Sequence, residues 1–117
     1  MELYPEELDL VWLFEAEPEL SAPDLPWHYN VVRFETTRGR DWIEFVMEPG
    51  NRIVKLRWSQ DGVERVRVFL DDVSEVKVRK ERQGESLVVV TPATDVELWM
   101  KPDVRMVWYG QIVYPSF

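Results

Sequence analysis

The chain has 117 residues, 45% of them hydrophobic and 13% aromatic, with no cysteine and a formal charge of −8. Such a length and apolar content suit a single folded domain with its own core and exclude a disordered segment. The absence of cysteine excludes disulfides and thiolate metal sites, and the net acidity opposes bulk affinity for nucleic acid or anionic membrane.

The charge is unevenly placed. Residues 1–32 hold Glu2, Glu6, Glu7, Asp9, Glu15, Glu17, Glu19 and Asp24 but neither Lys nor Arg. All 14 basic residues lie from Arg33 onward, against the other 14 of the 22 acids. The whole excess therefore sits on the first quarter of the chain. No basic-then-apolar leader opens the sequence. Its apolar runs fall far short of the roughly 20 residues that span a bilayer. The expectation is a soluble, cytoplasmic protein.

In chain order, Pro5-Glu6-Glu7 reads as a helix start: proline suits the first helical position, and acids there face the positive dipole end. Leu8, Val11 and Trp12 fall on one face, which Leu10, Leu13 and Phe14 broaden. The helix should stop near Ala16, before Pro18. A short buried strand over Leu10–Phe14 is the competing reading. Residues 17–27, with Pro18, Pro23 and Pro26, should run as an extended loop.

From Asn30 the period becomes two. Strands are expected over Asn30–Thr36, Asp41–Glu48, Ile53–Ser59, Val63–Leu70, Val73–Lys80, Leu87–Thr91, Asp95–Met100 and Arg105–Tyr114, the last bent at Gly110. Thr37-Arg38-Gly39-Arg40, Pro49-Gly50-Asn51, Gln60-Asp61-Gly62, Arg82-Gln83-Gly84-Glu85 and Pro102-Asp103 mark turns, and Asp71-Asp72 breaks a run. Turns this short join antiparallel neighbours. The expected fold is mainly β: one domain over 1–117, made of an acidic helix and Pro-rich loop (1–29) and an antiparallel β region (30–117). About eight strands should form a strongly bent sheet, barrel-like or folded into a sandwich, with the helix over one end or one open face.

Three successive strands carry cations at i, i+2: Lys55/Arg57, Arg65/Arg67 and Lys77/Arg79. Each pair shares a strand face. If the strands adjoin, these six residues form a basic interaction face on an acidic protein. It can be a solvated face, a seat for the acidic residues 1–24, or a site for an acidic protein or nucleic acid. Nucleic acid is the weaker partner on net charge, although Trp42 and Trp99 could stack bases.

Residues for catalysis are few. His28 is the sole histidine, at a loop-to-strand junction where backbone bonding explains it as well as base chemistry does. Asp71-Asp72 lacks EF-hand spacing and reads as a turn. Glu44 and Glu97 would resemble a glycosidase pair only if their strands adjoined. The glycines are isolated, and no serine has a nucleophile-elbow context. No catalytic residue, metal or cofactor is expected. Trp12, Trp27, Trp42, Trp58, Trp99 and Trp108 should be core or rim, or line a barrel cavity for an apolar ligand.

The helix ending in Trp12-Leu13-Phe14, the Pro-rich loop carrying His28, and the alternating strands resemble the layout of small bacterial immunity-type proteins, in particular immunity protein 50. Tyr29 stands where that family commonly has an aspartate after the histidine. The resemblance implies a non-enzymatic protein that binds and neutralises a partner toxin. The sequence reading is therefore a non-catalytic interaction domain of inhibitor, immunity or accessory type. Its protein partner and oligomeric state are unspecified, and a small-molecule-binding β-barrel is the alternative.

Overall fold

A computed structural model describes residues 4–110. It holds one α-helix, α1 (Glu7–Phe14), two single-turn 3-10 helices (Trp27–Tyr29 and Pro49–Asn51) and nine strands: β1 (Glu19–Leu20), β2 (Val32–Arg38), β3 (Asp41–Glu48), β4 (Ile53–Gln60), β5 (Val63–Leu70), β6 (Glu75–Glu81), β7 (Gly84–Val90), β8 (Thr94–Lys101) and β9 (Arg105–Gly110). The part of the expected last strand beyond Gly110 lies outside the described residues.

All strand pairs are antiparallel, and they form two open sheets, β1-β2-β3-β4-β5 and β6-β7-β8-β9. The mainly β reading holds; closure into a barrel does not. The division falls at Asp71-Asp72. Asp72 takes a left-handed φ of 58° and redirects the chain. The Val73 amide then donates to the Arg52 carbonyl, while the next amide, Ser74, donates to Val90 of the second sheet. Within the first sheet the Asp61-Gly62 turn has φ of 50° and 79°, the doubly left-handed conformation that matches the twist of a tight hairpin.

Alternation builds the core. Phe34, Phe45, Leu56 and Val68 stand opposite one another across β2 to β5, beside the row Val32, Met47, Val54 and Leu70. In the second sheet Val76, Leu87, Val89, Val96, Leu98 and Met100 turn inward, and both sets join one buried cluster. The helix completes it with Leu10, Leu13 and Phe14, all fully buried. The Phe14 ring stacks on Phe34 at 5.2 Å and on Phe45 at 5.4 Å between centroids. These positions are spaced i, i+3, i+4, so the buried stripe differs from the expected one: Leu8 and Trp12 lie on the solvent side. Glu15, with φ 54°, ends the helix ahead of Pro18.

Arg38 fastens these layers together. Its guanidinium donates to the carbonyls of Leu13 in α1 at 2.7 Å and Met100 in β8 at 3.0 Å. Lys101, next along β8, reaches Glu15 at 2.8 Å. The acidic lead segment is thus held to both sheets at the helix C-terminus, where cations also complement the dipole.

Candidate interaction surfaces

The six cations singled out by spacing do not share one sheet. Lys55 and Arg57 lie on β4 and Arg67 on the neighbouring β5, but Lys77 and Arg79 lie on β6, in the second sheet. Arg65 departs from the alternation. Trp58 pairs with Val66 and Ser59 with Glu64, so Arg65 is the extra residue of a bulge. The bulge brings Glu64, in place of Arg65, into line with Arg67 on the outer face.

Glu64 then separates two like charges. Arg57 and Arg67 are direct register partners, and Glu64 accepts from Arg57 at 3.3 Å and Arg67 at 2.9 Å. The Arg67 hydrogen bond is the chief cause holding the Glu64 carboxyl below the usual carboxylate range. Glu44 links Arg57 at 3.4 Å to Arg33 at 2.7 Å. Lys55 lies 3.7 Å from Glu48 and Lys77 3.7 Å from Glu75, and Arg79 pairs with Glu81 and Glu97. These cations are answered by acids of the β region. Residues 1–24 dock on other cations: Glu19 on Arg33 at 3.1 Å, and Glu15 on Lys101 and Arg38.

The outer face of the second sheet contains a group that period-two reading assigns to solvent. Glu97 is 1% exposed. It accepts from the Ser86 hydroxyl at 2.6 Å, the Tyr109 hydroxyl at 2.9 Å and Arg79 at 3.5 Å. Donors from β6, β7 and β9 thus satisfy a carboxylate on β8, as a buried charge requires. The Glu97 bond also raises the Tyr109 phenol above its ordinary value. Lys77, Arg79, Val88, Asp95 and Tyr109 form an open cleft with it. No local sequence signal marks this site, because its polar partners come from three other strands.

His28 lies in a short exposed turn, Trp27–Tyr29, after the Pro-rich loop. Asp71 accepts from the Asp72 amide and Asp72 pairs with Arg52 at 3.3 Å, a turn arrangement. Glu44 and Glu97 belong to different sheets, which removes the carboxylate-pair reading. No group of three or more potential metal ligands gathers among the described residues. The tryptophans line no barrel: Trp99 is buried under Arg105, Trp58 and Trp27 donate to Asp41 and Pro5, and Trp12 and Trp108 are exposed. No helix among the described residues is long and apolar enough to cross a membrane.

Exposed large apolar side chains occur at Val63, Phe69, Trp108 and Tyr109 and, near the start of the chain, at five further positions. Leu8 is 63% exposed, Trp12 61%, Leu25 51%, Tyr29 74% and Val31 39%. A shallow recess of about 410 Å³ at Leu8 is lined by Glu6, Glu7, Leu8, Val11 and Glu17. Among the described residues, none of Glu6, Glu7, Asp9, Glu17 and Asp24 has an ion-pair partner.

No family model matches the chain, and no curated protein matches its sequence. Its fold is nevertheless shared with a solved structure: a chain of the "Contact-dependent growth inhibition toxin - immunity protein complex from Klebsiella pneumoniae 342" superposes with a TM-score of 0.77 at 16% identity, over 92% of this chain and 95% of that one. At the level of fold, this agrees with the immunity-type layout that the sequence resembles.

Proposed function

We propose that this chain is an immunity-type protein, which binds one partner toxin and blocks it by surface contact without performing a reaction. The observation that carries the reading is the fold shared over nearly the full length with a member of a toxin–immunity protein complex. Of the two components in that complex, the immunity member suits this chain. The lead helix, Pro-rich loop and strand run follow the immunity-type layout. Many charged groups of the two sheets are engaged in structural ion pairs such as Arg57–Glu64 and Arg33–Glu44. The exposed apolar and acidic residues near the N-terminus provide a surface for a protein partner.

The test is co-production with any growth-inhibiting domain that a gene adjoining this one encodes. Growth should recover when this protein is made with that domain. Persistent arrest alongside abundant folded protein, or a neighbouring product that is harmless, would overturn the reading.

A further inference from the structure

We infer that the solvent face of α1, centred on Leu8 and Trp12 and edged by Glu6, Glu7 and Glu17, docks a Lys/Arg-bearing apolar patch on a partner protein; the biological partner rests on the immunity-type reading, whereas the surface itself does not.

Leu8 and Trp12 are four residues apart and so lie one above the other on the helix. Both are more than 60% exposed, although the opposite stripe of the same helix is completely buried. An eight-residue helix fixed by Leu10, Leu13 and Phe14 needs neither of them for its attachment. Exposed Trp and Leu on a rigid element form a preorganised anchor, and tryptophan is among the residues that most often dominate binding energy.

Charge identifies the occupant. Many of the sheet acids and bases answer one another, as Arg33 does Glu44, Arg57 Glu64 and Arg79 Glu81, and Lys101 answers Glu15 at the end of α1. Glu6, Glu7 and Glu17, which edge the recess beside Leu8, have no such partner among the described residues. The Trp12 ring already receives a cation on its surface, Lys80, at 5.2 Å. A second copy would bring the same acids face to face, and nucleic acid would be repelled. A basic, apolar-centred protein surface satisfies both the carboxylates and the exposed rings.

The first arm of the test needs no knowledge of the toxin. Isotope-labelled protein is titrated, by NMR at low salt, with a synthetic peptide of alternating leucine and arginine and with its leucine–glutamate counterpart. The Leu/Arg peptide should shift the Leu8, Val11 and Trp12 signals, the shifts should shrink at high salt, and the Leu/Glu peptide should leave them in place. Shifts centred elsewhere, or none, overturn the proposal. Concentration-dependent shifts at these residues without peptide would assign the face to a second copy and equally overturn it. In parallel, Leu8→Ser with Trp12→Ser should retain the fold, since both side chains are exposed, and should weaken binding to the neighbouring toxin domain about tenfold or more. Unchanged toxin binding by this variant rejects the surface. A wild-type protein that ignores the toxin yet places the Leu/Arg peptide on α1 rejects the immunity reading and leaves the surface standing.

Discussion

The guanidinium of Arg38, on β2, donates to the carbonyl of Leu13 at 2.7 Å and so pins the end of α1 to the first sheet. Its other amino group serves Met100 of β8, and one side chain thereby ties the helix to both sheets. Arg38→Met keeps the aliphatic stem but leaves both carbonyls without their donor. Hydrogen bonds to a charged group contribute about 1.5–3 kcal/mol each, and the two here share one side chain, so a loss of about 3 kcal/mol is expected. Urea unfolding checks it; a midpoint equal to wild type would mean that Arg38 does not clamp the layers.

Phe14 stands at the centre of that junction, fully buried between Phe34 and Phe45. Phe14→Ala should cost about 3–5 kcal/mol through lost apolar contact and the cavity left behind. Phe14→Leu should cost clearly less, because it refills most of the volume. Equal losses for the two variants in thermal and urea unfolding would argue against a tightly packed site.

Gly84 opens β7 with φ 149° and lies against the backbone of Lys101, where an added Cβ would stand 1.8 Å from the carbonyl oxygen. The obstacle is main chain and cannot swing aside. Gly84→Ala should therefore destabilise the second sheet by several kcal/mol, on the order of the largest single-site effects. Gly50→Ala is the contrasting variant, with open space around its Cβ position. Soluble yield and melting temperature of the two variants provide the comparison.

The Tyr109 phenol is raised above its ordinary value, chiefly because its hydroxyl donates to Glu97. Its folded value exceeds its unfolded one. The linked stability is therefore complete below about pH 10, the ordinary phenol value, and is lost as pH rises through the raised one. Tyr4 is raised in the same direction by burial, so wild type alone does not isolate the effect. Tyr109→Phe should reduce the alkaline decline of the urea midpoint while Tyr4→Phe leaves the Tyr109 share in place. Parallel midpoint-against-pH curves for wild type and Tyr109→Phe would contradict the Glu97 contact.

Eight of the nine strands were legible because their signals are local; β1, Glu19–Leu20, falls in the expected Pro-rich loop and is a strand only through its pairing with β2. Val32, Phe34, Ile43, Phe45, Val54 and Leu56 alternate with polar residues, and Asp61-Gly62 has the left-handed conformation its turn demands. Long-range relations were not legible. Asp71-Asp72 announced a break, but not that the chain would leave one sheet and begin another. The helix is apolar around much of its circumference, so periodicity alone did not show that Leu10, Leu13 and Phe14 would be buried and Leu8 and Trp12 left outside. Arg38 fell in a predicted turn and Glu97 on a predicted solvent face; the carbonyls and hydroxyls that occupy them come from the helix and from other strands. The cation pairs on β4, β5 and β6 were visible as spacing, whereas the Arg65 bulge and the placement of β6 in the second sheet depend on pairing.

The central claim is that this protein acts by binding a toxin. Calorimetric titration of the purified chain with a purified growth-inhibiting domain from an adjoining gene tests that claim most directly. The expected result is a saturable complex of one chain per domain with a dissociation constant of about 10 nM or tighter, in the range of specific protein–protein inhibition. No heat of binding and no co-elution of the two folded proteins at low salt would contradict it.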